Sequence, residues 1–546
     1  MNVRLRLPAV LLTLLLTAAV ALPSSECPPS ADPAPLLPAD QTVTVAVSSL
    51  DDLAAAWTRL AAALDLDDDT DLHAMMREHA PAMAQVFDPA RTMTFSFLVH
   101  PIMFQQEPDW THVLPVRGNV TDPTALLDGN DVAGWLLRDG QLAVSSQAEI
   151  ALAEPAPAWW LDMLPGVVAA HADLTALIEQ NRGMVEMSLA SMPMMAEQAR
   201  QQAEAGEEPA TPMEMPSAEQ MEGIAKVMRM VMDSLAAMDA AADVTRDAAV
   251  LRTRFDVNPD TPLALGPQPA FAAALDLTRR LPRHADILGA GAFDQSRAFA
   301  AMDDYLRASL RDTYGELIAD PDLVERWVDA YMEFAGTTNR PWAMSMGRAD
   351  AGFTFRWAQQ ADEAEELLAL VAQLMDLSRG MEVAKVTPLA TERLAGTDVM
   401  VWSVDYALPA HMVQDADPEQ MRILQTVMEA FVGEIRVAAR DGLLLMSMNE
   451  GPEGMTEMLV GGGRPSDRLA ALAAQGGPDV RQVVSGNYGA FLDLIAQAAG
   501  VEAAAGAVPF TAVTTGAGTR GGAEISVALE GLERLMAFFQ TMDASR

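Results

Sequence analysis

One eight-residue string occurs twice and fixes the backbone wherever it occurs. Arg138-Asp139-Gly140-Gln141-Leu142-Ala143-Val144-Ser145 and Arg440-Asp441-Gly442-Leu443-Leu444-Leu445-Met446-Ser447 share the pattern Arg-Asp-Gly-x-Leu-x-apolar-Ser. An apolar run precedes each, beginning at Trp135 in the first and at Val437 in the second. Asp-Gly between two apolar runs predicts a tight hairpin. The type I′ turn needs positive φ at both central residues, which Gly adopts freely and Asp tolerates. The chain must therefore build antiparallel sheet at least twice, about 300 residues apart.

Other elements recur around these hairpins. A short apolar strand, a polar cap and an amphipathic helix follow one another from Val43, Gly166, Ala285 and Val483. Ser49 and Asp52 fit a reciprocal capping box in the first of these. Asp173, Asp294 and Asn487 stand at the cap positions of the others. Alternating segments from Ala242, Pro341 and Phe510 read as further hairpins, the last two followed by helices. The order of elements in 41–260 is echoed in 283–546.

The predicted fold class is α+β, with two tandem related units, each an antiparallel sheet with helices packed on one face. The first unit spans 41–262 and carries a Met-rich helical insertion at 181–240. The second spans 280–546, and 258–282 is the junction. Pro38-Ala39-Asp40, the strand Val43–Val47, the capped segment Ser49–Leu64 and the Arg138–Ser145 string resemble a family of exported bacterial proteins known only as a domain of unknown function. The resemblance implies architecture and no chemistry.

The first residues read as an export signal. Arg4 and Arg6 precede an uncharged, mostly apolar stretch from Pro8 to Leu22, too short to span a bilayer, and Ala19-Val20-Ala21 supplies a small-x-small cleavage site. Residues 1–21 are the expected signal peptide and 22–40 a proline-rich linker. Cys27 is the single cysteine. Its place after the apolar stretch suits a lipid anchor, although Glu26 stands where a lipoprotein signal wants a small residue. No later segment is long and apolar enough to span a membrane. The expected location is the periplasm or cell envelope, with full secretion as an alternative.

Composition narrows the partners. A net charge of −40, with Asp plus Glu at 76 and Lys plus Arg at 36, disfavours nucleic acid and anionic membrane surfaces. Lys226 and Lys385 are the only lysines. One cysteine excludes a disulfide framework and a cysteine-rich zinc site.

Residues 181–240 hold 12 of the 35 methionines. The segment predicts helices at 182–203 and 219–240 joined by a polar loop. Met192, Met194, Met195, Met228, Met230 and Met232 form a candidate apolar surface for a protein or hydrophobic ligand, since thioethers adapt to varied partners. The same residues could serve as ordinary core in place of Leu, or bind Cu(I). The seven histidines are scattered and read as surface or polar-core residues. The acidic run Asp65–Asp71 lacks the Gly and Glu of a calcium loop and reads as a solvated turn. No catalytic, cofactor or metal motif is found. The sequence thus points to an exported, envelope-associated, non-catalytic binding or structural protein. The alternatives are an exported hydrolase with an unlocated site and a periplasmic copper-binding protein.

Overall fold

The computed structural model describes residues 36–39, 41–64, 71–99, 108–118, 120–127, 132–153, 157–204, 218–315, 318, 320–337, 339–349, 352–381, 384–406, 425, 428–429, 432–499 and 506–544. The expected signal peptide 1–21, Cys27, most of the linker and Asp65–Thr70 lie outside the described residues. Among the described residues no helix is long and apolar enough to cross a membrane.

The chain divides into two compact units, each assembled from separated segments. The first takes the chain up to Glu186, then Leu235–Asn258 and Arg520–Glu533. The second takes Met187–Ser234, Pro259–Thr519 and the chain from Arg534 onward. This differs from the expected single cut near 258–282. Most of the Met-rich segment groups with the second unit, and a late strand groups with the first.

The first unit holds strands β1 (Val43–Val47), β2 (Met93–Leu98), β3 (Asp109–Pro115), β4 (Gly134–Arg138), β5 (Gln141–Ser145), β6 (Val168–Asp173), β7 (Leu235–Val244), β8 (Ala248–Val257) and a last strand, Arg520–Ala528. They pair antiparallel in the order β4-β5-β3-β2-β1-β6-β7-β8, with Arg520–Ala528 beside β8. Asp139 and Gly140 both have positive φ, 52° and 72°, as the type I′ turn requires. Ser49 caps the helix Leu50–Ala63: its Oγ accepts from the Asp52 amide at 2.9 Å and donates to the Asp52 carboxylate at 2.7 Å. Such a cap is worth about 1 kcal/mol. Leu50, Leu53 and Leu60 of that helix, with Leu72, Met76 and Met83 of the next two, cover Val45, Val47, Val168 and Ala242. These three helices lie on one sheet face, while the short helix Ala158–Leu161 sets Trp159 on His171 of the other face.

The second unit contains β9 (Ile287–Gly291), β10 (Trp342–Ala349), β11 (Gly352–Gln360), β12 (Ala384–Pro388), β13 (Glu392–Leu394), β14 (Thr397–Tyr406), β15 (Gly433–Arg440), β16 (Leu443–Met448), β17 (Val480–Asn487) and β18 (Pro509–Ala517). The segment Arg520–Ala528 of the first unit is therefore β19. The second sheet runs β18-β17-β9-β10-β11-β16-β15-β14-β12, all antiparallel, and β13 pairs with the other end of β14. The Asp441-Gly442 turn has φ of 52° and 71°.

Two expectations are corrected. Helices in the second unit cover both sheet faces. Gly451–Val460 and Asp467–Gly476 pack on Leu288, Ala290, Ala358 and Leu445. Ala364–Leu377 packs on Val437, Leu444 and Trp402, on the opposite side. The strands allow this because successive residues such as Leu443, Leu444 and Leu445 are all buried. The second correction concerns the expected helix 219–240. The helix ends at Ser234, and Leu235–Val244 is β7, held between β6 and β8. Its Ala-rich sequence favours helix, but two flanking strands satisfy its backbone on both edges.

His112 on β3 stands among aromatic rings. It stacks on Trp110 at 4.6 Å and meets Phe95 edge-on at 5.1 Å. Its Nδ1 is buried without a hydrogen-bond partner among the described residues. Burial pushes its pKa from 6.5 down to about 4, against a smaller opposing contribution from the Thr111 backbone. The unfolded chain therefore takes up this proton first as pH falls. Stability from neutral His112 is complete above pH 6.5 and is lost on descent towards pH 4. A shift of this size corresponds to about 3 kcal/mol at full loss. His112→Phe should match the parent at pH 7.5 and exceed it by about 2–3 kcal/mol at pH 4.5 in denaturant melts. An unchanged pH dependence in the variant would contradict this.

Candidate functional site

Residues directly paired across an antiparallel sheet project to the same face. In the first unit one such row is polar along its length. It runs Ser145, Thr111, Ser96, Thr44, His171, Asp239, Arg254 through β5, β3, β2, β1, β6, β7 and β8. All but Arg254 are buried. Burial obliges such groups to hydrogen-bond one another. Thr44 and Ser96 hydroxyls meet at 3.0 Å, and Thr111 donates to Ser145 at 3.0 Å.

The row ends in charge. His171 Nδ1 lies 2.8 Å from Asp239 Oδ1. Arg254 donates to Asp239 Oδ2 through Nε at 2.9 Å and a terminal nitrogen at 2.5 Å. A second row on the same face holds Asp173, Ala237, Asp256 and Arg520. Arg520 donates to Asp256 at 2.8 Å and to Asp162 at 2.7 Å. Asp162 also faces the other terminal nitrogen of Arg254 at 3.5 Å.

The short helix Ala158–Leu161 places Trp159 over this floor. Its indole stacks on the His171 imidazole at 4.2 Å with planes 4° apart. Trp159, Asp162, His171, Asp173, Asp239 and Arg254 line a cavity of about 390 Å³. That volume suits a small molecule.

Burial of Asp239 works to raise its pKa, but the hydrogen bond from His171 and the charge and hydrogen bonds of Arg254 outweigh it, and the carboxyl is held below its ordinary value. Asp239 is therefore an anion that accepts from both neighbours. A neutral His171 then carries its proton on Nδ1, leaving Nε2 as an acceptor. Nε2 meets no partner among the described residues, although the side chain is only 9% exposed.

The second unit has a larger cavity, about 560 Å³, lined by Asp294, Glu333, Asp362, Glu363 and Glu366 with Arg340. Apart from Asp294, these charged side chains are exposed, and no aromatic ring lines the cavity. It is a solvated acidic depression. Its buried charges lie elsewhere, on β11 and β15. Arg356 pairs with Glu450 and, at 3.0 Å, with Glu457, which ties down the helix Gly451–Val460. Arg436 holds Glu392 of β13 at 3.0 Å. Among the described residues no cluster of three or more His, Cys, Asp and Glu is placed to hold a metal ion.

The Met-rich candidates scatter in exposure. Met194 is 64% and Met228 44% exposed, Met230 is half-buried and Met232 is buried. The side chains of Met192 and Met195 lie outside the described ones. Sequence reasoning missed the Trp159–His171–Asp239–Arg254 group because it set Asp239 inside a helix. With 235–257 read as a hairpin, register alone pairs Asp239 with Arg254. Comparison of the chain with protein-family models, curated proteins and solved structures finds no match.

Removing one partner of a buried ion pair leaves the other charge uncompensated, at a cost of about 3–5 kcal/mol. Asp239→Ala should lose stability of that order. The double variant Asp239→Leu, Arg254→Met should recover much of the loss in the same urea melts. A single variant no less stable than the double would contradict the pairing.

Proposed function

We propose that the protein is an exported, envelope-associated binding protein whose ligand enters the cavity lined by Trp159 and His171. The observation that carries this reading is His171. Its Nδ1 is committed to Asp239, its side chain lines the cavity and is only 9% exposed, and its Nε2 has no partner among the described residues. An imidazole held in this way accepts a hydrogen bond from a guest. Export rests on the N-terminal basic pair, apolar stretch and small-x-small site.

A His–Asp pair also occurs in hydrolases, where the second ring nitrogen activates a hydroxyl or thiol. Among the described residues no Ser, Thr or Cys side chain bonds Nε2 of His171, which favours binding over covalent catalysis.

The two units are related copies in this proposal. Strand pairing supports it residue by residue. Ser145 and Ser447 occupy the same hairpin position, opposite Gly134 and Arg436. Two strands further on, both rows reach a serine, Ser96 or Ser345, through Thr111 or Arg356. The next partners are Thr44 and Leu288, then His171 and Ser485, then Asp239 and Thr511. The charged pair is thus particular to the first copy, which makes it the ligand-binding one.

A thermal-shift screen of small polar molecules against the mature chain tests the reading. A ligand at a hundred times its Kd stabilises by about 2.7 kcal/mol. At least one compound should raise the melting temperature of the parent and fail to do so for Trp159→Ala. Shifts that are the same in both proteins would place binding elsewhere.

A further inference from the structure

The charges lining the cavity identify the chemistry of its guest. Asp162, Asp173, Asp239 and Asp256 contribute four carboxylates, and Arg254 and Arg520 contribute two guanidinium groups. Both guanidinium groups are committed. Each nitrogen of Arg254 faces Asp239 or Asp162. Each nitrogen of Arg520 faces Asp256 or Asp162. Both cations are thus matched by carboxylates, and the lining keeps an excess of two negative charges, which disfavours an anionic guest.

Acceptors remain. Asp162 uses only Oδ2 on the arginines, and no described residue bonds its Oδ1. Asp173 uses Oδ1 to cap the following helix through the Ala176 amide at 2.9 Å, and its Oδ2 has no described partner. Nε2 of His171 is the third. Three unused acceptors, a surplus of negative charge and the Trp159 side chain make a site for a positively charged donor with an apolar body.

We propose that the ligand is a small organic cation, an ammonium or guanidinium group carried on an aromatic or alkyl body. Its charged head sits between Asp162, Asp173 and Nε2 of His171, and its body lies against Trp159 and Ala237. This rests on the binding reading above.

Three probes that share a phenol ring separate the possibilities: tyramine with an ammonium head, tyrosol with a hydroxyl and 4-hydroxyphenylacetate with a carboxylate. Each is titrated calorimetrically into the full-length mature protein at pH 7.5. Tyramine should bind at least tenfold more tightly than tyrosol, and 4-hydroxyphenylacetate should give no heat. Asp173→Asn keeps a capping side chain, so its fold is preserved, and it should weaken tyramine about tenfold. Tighter binding of the carboxylate, or tyramine affinity unchanged in Asp173→Asn, overturns the cation assignment. If that binding still needs Trp159, the cavity reading survives. No Trp159-dependent binding by any of the three overturns both.

Discussion

The first unit depends on one buried anion. Asp239 sits on β7, an interior strand of a nine-stranded sheet, and stays charged because His171 and Arg254 hydrogen-bond to it from the two flanking strands. Desolvation alone would push its pKa up. The pairing fixes more than a charge. It sets the registers of β6, β7 and β8, since a one-residue slip would carry all three side chains to the opposite, helix-covered face. It also fixes the His171 tautomer, and through stacking it seats Trp159. The cavity exists because these three constraints coincide.

The second unit uses buried charge differently. Arg356 and Arg436 stand in one cross-strand row on either side of Ser447. Their carboxylate partners come from the helix Gly451–Val460 and its preceding residue, from β13, and from Glu434 of β15 itself. These pairs tie surrounding elements to the sheet. A shared strand order therefore carries two different buried-charge designs.

Much of the architecture was legible in the sequence. Asp139-Gly140 and Asp441-Gly442 announced their hairpins because few residue pairs accept two positive φ values in succession. Ser49 announced its helix through reciprocal capping with Asp52. The site was not legible, for a specific reason. Leu235–Val244 is rich in alanine and follows a long amphipathic helix, so local propensity continued the helix through Asp239. Only the edges offered by β6 and β8 make it a strand. The Met-rich segment drew attention by composition, yet composition does not distinguish buried Met232 from exposed Met194. The discontinuous units were also hidden, because the pairing of β19 with β8 joins residues more than 250 positions apart.

The central claim is that Asp239 holds His171 as the Nδ1-protonated tautomer with Nε2 open to the cavity. Long-range ¹H–¹⁵N correlation spectra of histidine-labelled protein, with His171 assigned through His171→Gln, measure this directly. At pH 7.5 the account predicts a protonated Nδ1 and a bare Nε2 whose shift moves when tyramine is added. A protonated Nε2 in the free protein, or a bare Nε2 indifferent to every ligand that binds, would contradict it.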